Sequence, residues 1–340
     1  MSSPSASGLA GVAQSRWSEP QVRLAWLVIL AVWAAHQLLM MSRAALSASP
    51  ADTLAAAGAP NPGEAGSLAS WGWLVALAVV VSVLLFFAAL RRLWTGAWLS
   101  AIRSPQGQYG YYLEGFAFWM FLEIPLNLGF WLWNAWTSTP LLPSEEEVIL
   151  QVVGLLAVLW PVWRGVTWSA LRADLGLHLG EGVLRELGAG IVGYLAKGPL
   201  LLLGLVSTEL LVLIASSAGS HSPVHPAIST LMNGSGSGRP WLFGAALIGA
   251  PLVEELAFRG LLFRYLRSGP GGFSTLARAV PSALVSAIAF ALVHPTGVLA
   301  IPVLAAEGFA LGLVRDWRGS LLAPVVTHAL QNGLLLLFLS

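Results

Sequence analysis

Two adjacent carboxylates and an arginine, Glu254, Glu255 and Arg259, lie inside the apolar stretch Ala250-Pro251-Leu252-Val253-Glu254-Glu255-Leu256-Ala257-Phe258-Arg259-Gly260. Charge at membrane depth is costly, so it is usually paired and functional. On a helix Glu255 and Arg259 are four apart and share a face, in the favoured order for an ion pair. Glu254 is turned about 100° from Glu255 and faces a different partner. One acid is thus expected to be structural and the other available for chemistry. Downstream, Phe290-Ala291-Leu292-Val293-His294 sets an aromatic and a histidine four apart. His328-Ala329-Leu330-Gln331-Asn332 does the same for a histidine and an asparagine. A carboxylate beside a histidine can bind and deprotonate a water, general-base work of roughly 10²–10⁴ in rate. A histidine and an asparagine on one face can donate hydrogen bonds to a developing oxyanion. Neither a serine elbow nor a helical H-E-x-x-H accompanies them. Together these groups suit water attack on an acyl carbon, most simply peptide hydrolysis.

The elements that must position them are membrane helices. The 340 residues are 56% hydrophobic and 10% charged, with a mean hydropathy of +0.75, where a soluble domain carries about 25% charged residues. Sixteen tryptophans suit membrane–water interfaces. A net charge of +1 gives no electrostatic case for nucleic acid. The lack of cysteine removes disulfides, thiolate zinc sites and cysteine nucleophiles.

The pattern predicts an all-α, polytopic bundle of about 8–9 spans, with the reactive groups in its last four to five helices. Residues 1–20, rich in Ser, Ala and Gly, are expected to form a disordered tail without the features of a signal peptide. Residues 21–169 hold four N-terminal spans, and 170–340 the reactive core. Candidate spans, each needing about 20 residues, are Val22–Met41, Leu68–Leu90, Tyr111–Trp136 and Val148–Val166, then Ala189–Ala215, Pro240–Leu266, Ala279–His294, Val298–Val314 and Leu321–Leu339. An interfacial stretch, 172–186, precedes the fifth, and a polar loop, 216–239, precedes the sixth. Bases cluster after the second, fourth, sixth and eighth spans, which places the N-terminus inside and, with nine spans, the C-terminus outside. At helical rise, Glu254 and His328 each lie roughly 15 Å from the inner-side Arg264 and Arg318. His294 lies roughly 24 Å from Arg278, less if the seventh helix begins only at Pro281.

Other readings stay open at this level. Two histidines and a carboxylate (Glu254, His294, His328) also suit zinc, although no local ligand spacing matches a zinc motif. His36 reads as a helix-packing hydrogen-bond partner. His178, His221 and His225 fall in the interfacial stretch and the loop. Glu114 and Glu123 could line an ion path, or each could be a solvated helix-end residue or pair with Arg164. A proton-coupled transporter using Glu114, Glu123 and Glu254 would show repeated halves, and no such correspondence is visible.

The set Glu254-Glu255-x-x-x-Arg259, Phe290-x-x-x-His294 and His328-x-x-x-Asn332 resembles the CPBP family of CAAX prenyl endopeptidases, Abi and bacteriocin-processing intramembrane proteases. The likeness covers about residues 170–340. It implies a membrane helix bundle in which Glu254 and His294 activate water and His328 and Asn332 form the oxyanion hole. Glu255, Arg259 and Phe290 fall at supporting positions. It further implies a metal-free mechanism without cofactor, a membrane protein or lipidated peptide as substrate, and no nucleic acid partner. A non-catalytic membrane partner or bacteriocin self-immunity protein with the same fold is the alternative. The composition points to a bacterial inner membrane.

Overall fold

The computed structural model describes residues 109–216, 243–268 and 275–339, apart from 138, 140, 142, 295 and 297. The expected tail, the first two spans and nearly all of the 216–239 loop lie outside these residues, as does the side chain of Glu123. Among the described residues every regular element is helical.

The first helix, α1, is Tyr109–Trp136, and runs through Pro125 without ending. Helix α2 (Pro143–Ala157) starts with Glu145 and Glu146 in its first turn, where carboxylates offset the helix dipole. It passes through a short break into α3 (Trp160–Trp163). The interfacial stretch begins within α4 (Trp168–Leu175), which is capped by the Thr167 side chain and stopped by Gly176 at φ 73°, a left-handed conformation that glycine adopts without strain. Helices α5 (Val183–Ala196) and α6 (Gly198–Ser216) meet at a 42° bend around Lys197.

Helix α7 is a continuous rod of four segments, Ala245–Gly249, Ala250–Glu255, Leu256–Leu262 and Phe263–Arg267, of which the first and third are π-wound. Helix α8 is Thr275–Val293. It begins before Pro281 and carries that proline inside, so the shorter start considered from sequence does not hold. A single 3₁₀ turn, Val298–Ala300, leads to α9 (Ile301–Arg318), which runs one turn past the expected end and stops at the left-handed Gly319. Helix α10 is Leu322–Leu339.

Two helices among the described residues, Gly110–Asn134 and Glu145–Trp163, are long and apolar enough to cross a membrane, and the bent α5–α6 pair makes a third if it is one span. Helices α8 and α10 contribute shorter apolar stretches. The chain is an integral membrane protein. Apolar association is weak in lipid, so close packing must come from small residues, and α8 and α9 show how. Gly308 and Gly312, four apart, face Ala287 and Ala283: a Cβ on Gly308 would lie 2.9 Å from the Ala287 Cα, and one on Gly312 2.8 Å from the Ala283 Cβ. Helix α5 likewise presents Gly190 and Gly193 to Val326 and Thr327 of α10.

Polar pairs tie the helices at one end. The Tyr112 hydroxyl donates to Asp174 at 2.6 Å, Arg264 donates to the same carboxylate, and Arg267 pairs with Asp316 at 2.6 Å. Arg318 pairs with the fully buried Glu186 at 2.6 Å. Deeper in the bundle, Arg259 and Glu255 are both wholly buried. Arg259 Nη1 donates to Glu255 Oε1 at 2.8 Å, and Nη2 donates to the Gly308 carbonyl at 2.9 Å.

The close approach at Gly308 predicts that Gly308→Ala costs about 1–3 kcal/mol by overpacking, read as a lower unfolding midpoint in detergent. Replacing Arg259 by Met leaves Glu255 buried without its guanidinium counter-ion, and is expected to cost about 3–5 kcal/mol in the same measurement.

Candidate active site

The rod α7 is the element on which the site is built, and its winding matters. A π turn displaces the hydrogen-bond ladder, and such turns concentrate at functional sites. Here they flank the α-wound Ala250–Glu255, which carries both acids. Their carbonyls take side chains from other helices: Ala245 O accepts from Gln151 of α2 at 3.1 Å, Ala246 O from Asn332 of α10 at 2.9 Å, and Phe258 O from Ser286 of α8 at 3.1 Å. Three helices are thereby registered against the segment that bears Glu254. Gly249 leaves room for the Gln151 amide, whose oxygen would lie 1.8 Å from a Cβ at that position.

Glu255 is the hub of the polar cluster. Its Oε1 accepts from Arg259 and lies 3.1 Å from His328 Nδ1. A carboxylate only accepts, so Nδ1 of His328 carries a proton, and Nε2 is the nitrogen turned outward. That Nε2 lies 3.8 Å from Glu254 Oε2. His294 stands one residue past the end of α8 and is arranged alike: its Nδ1 lies 2.7 Å from the Phe290 carbonyl oxygen, and its Nε2 lies 3.9 Å from the same Glu254 Oε2. Two ring nitrogens and one carboxylate oxygen therefore converge without touching. Glu254 Oε2 is buried and has no hydrogen-bond partner, although the Glu254 side chain is 24% exposed. Each of these separations, 3.8 and 3.9 Å, is too long for a direct hydrogen bond and can be bridged by a water.

Phe290 holds this geometry from behind. It is 1% exposed, its ring centroid is 4.3 Å from that of His294 and 5.8 Å from that of His328, and the Arg259 guanidinium lies 4.7 Å from it. Phe258 closes the stack edge-on at 5.3 Å.

The structure thus brings together Glu254, Glu255, Arg259, Phe290, His294 and His328. Asn332 lies one turn beyond His328 on α10, and the hydrogen bond recorded for it goes to the Ala246 carbonyl rather than to the Glu254–histidine cluster. Glu114 is placed elsewhere: Arg164 donates to it at 2.7 Å and Trp160 at 3.1 Å, the pairing considered from sequence. Sequence reasoning separated Glu255 and Glu254 into different roles but missed that Glu255 also reaches His328. The two residues do not share a recognisable sequence spacing. It also passed over Ser286, Gly308, and the charged residues Lys197 and Glu307 within apolar helices, the last two of which membrane depth could have singled out.

Comparison with known proteins places the resemblance on this part of the chain. Residues 236–334 match the family described as type II CAAX prenyl endopeptidase Rce1-like. Over 98 residues the chain is 34% identical to the membrane-embedded CAAX protease MroQ of Staphylococcus aureus (strain USA300), a match covering 29% of this chain and 38% of that relative. No solved structure matches. The stretch that holds both acids, both histidines and the asparagine lies within that matched segment.

Proposed function

We propose that the protein is an intramembrane endopeptidase that hydrolyses a peptide bond of a membrane protein or lipidated peptide by activated water. The carrying observation is the approach of His294 Nε2 and His328 Nε2, at 3.9 and 3.8 Å, to the same unpartnered Glu254 Oε2. Glu254, oriented with His294, accepts a proton from the water as its oxygen bonds to the acyl carbon. The carbonyl electron pair moves onto oxygen. His328, protonated on both ring nitrogens with its Nδ1–H donated to Glu255, and Asn332, through its second amide hydrogen, donate to that oxyanion. On collapse the carbonyl re-forms, the C–N bond breaks, and Glu254 returns its proton to the departing amine. Such a site combines general-base work with electrostatic stabilisation. The distribution of Lys and Arg supports an N-terminus on the cytoplasmic side, and the Ala/Gly/Leu-heavy composition supports a bacterial inner membrane.

A zinc-dependent version has one observation in its favour: both histidines are oriented at Nδ1 by an acceptor, as metal-bound histidines usually are. The donor types of Glu254, His294 and His328 fit zinc. Their spacing fits less well, because tetrahedral ligands at zinc distances are about 3.3–3.4 Å apart, against 3.8 and 3.9 Å here. The water-only reading is the one we adopt.

Two probes suit the assay: a quenched-fluorescent peptide with a farnesylated Cys-Val-Ile-Met terminus, and the same peptide tethered by a plain acyl chain. Glu254→Gln is expected to reduce cleavage roughly 10²–10⁴-fold with an unchanged unfolding midpoint. Undiminished cleavage would remove Glu254 from the mechanism. Replacing Asn332 by Ala should lower kcat about 10²–10³-fold, the effect of losing one oxyanion donor. Turnover is expected to survive chelator, with substoichiometric metal in the purified protein; stoichiometric zinc required for turnover would reverse the choice between mechanisms.

A further inference from the structure

A second buried ion pair lies outside the site just described. Lys197 Nζ lies 2.6 Å from both carboxylate oxygens of Glu307, with side chains only 2% and 8% exposed. The ammonium also sits 4.9 Å from the centroid of the Tyr194 ring. Neither residue belongs to the three spaced motifs, and Lys197 lies outside the matched segment 236–334.

The positions of the two residues give the pair its interest. Lys197 is the residue at which α5 bends into α6. Its own N–H closes the end of α5 on the Gly193 carbonyl, while its carbonyl accepts from Leu201 of α6. Glu307 sits mid-way along α9, immediately before Gly308, whose carbonyl takes Arg259 Nη2. From Gly308 the contacts run without interruption through Arg259 to Glu255 and on to His328. Helix α6 adds two further contacts to α9: the Thr208 hydroxyl accepts from Val303 N at 3.3 Å, and Gly204 sits against Pro302, Val303 and Ala306. The α5–α6 bend and the Gly308 carbonyl are thus fixed to one another by the Lys197–Glu307 pair.

We propose that Lys197 and Glu307 are positioning residues for the reaction, holding α9 so that the Gly308 carbonyl orients Arg259, Glu255 and, through them, His328. The inference rests on the endopeptidase reading for its kinetic consequence but not for its structural one. A buried ion pair can also be plain helix packing, replaceable by apolar residues of similar volume without loss. The two roles make different predictions.

The test uses the full chain in nanodiscs, with the farnesylated peptide probe and with ¹⁵N-labelled histidine. Lys197→Met and Glu307→Gln are expected to lower kcat roughly 10- to 100-fold, the scale of a small misplacement, with KM within about twofold. They should also move the ring resonances of His328 while leaving those of His178 in place. Lys197→Arg should retain most of kcat. Should the single variants fail to fold, the apolar pair Lys197→Met with Glu307→Leu supplies the decisive comparison: a stable protein with reduced kcat and a displaced His328 signal supports positioning. Wild-type kcat and an unmoved His328 signal in that double variant would overturn it. A Glu254→Gln protein as active as wild type, or a wild type inert towards the probe, would count against the endopeptidase reading alone. In that case the His328 resonances still decide whether Lys197 and Glu307 position the cluster.

Discussion

The buried Glu255–Arg259 pair is the interaction on which the rest of the structure depends. Both side chains are fully excluded from solvent, so neither can be left without the other. The pair is also more than internal to α7. The guanidinium reaches the Gly308 carbonyl of α9, and the carboxylate reaches His328 of α10. The Phe290 ring of α8 packs beneath the guanidinium. One ion pair therefore sets three helices against a fourth, in a medium where apolar contact between helices gives little net association.

Small residues make that pair possible. The guanidinium can reach a backbone carbonyl on α9 only because Gly308 lacks a side chain, and α9 can lie against α8 only because Gly308 and Gly312 face Ala287 and Ala283. The π-wound segments of α7 act in the same direction. They offer carbonyls to Gln151, Asn332 and Ser286, so that polar side chains on the neighbouring helices find partners in the rod that carries Glu254.

Much of this was legible in the sequence. The i, i+4 spacing of Glu255 and Arg259 predicts their pairing, and that of Phe290 and His294 predicts their stacking, because both rest on helical geometry within one element. The convergence of Glu254, His294 and His328 follows once three apolar helices place them at similar depth. Contacts between elements were less accessible. Nothing in the spacing of Glu255 and His328, or of Lys197 and Glu307, marks them as partners, since 73 and 110 residues separate them. The π winding of α7 was equally hidden, because its carbonyls are taken by donors from other helices that no residue of Ala245–Leu262 announces. The position of Asn332 shows the limit of periodicity: the four-residue spacing puts it on the His328 face, whereas its amide is drawn toward Ala246.

The interlock of Gly308 and Gly312 with Ala283 and Ala287 has a consequence for traffic through the membrane. Helices whose backbones touch leave no fissure for an acyl chain or an extended peptide, and widening that seam would pull the Gly308 carbonyl away from Arg259. The α8–α9 wall is therefore a closed side of the molecule, and whatever reaches Glu254 from the bilayer must come from another quarter.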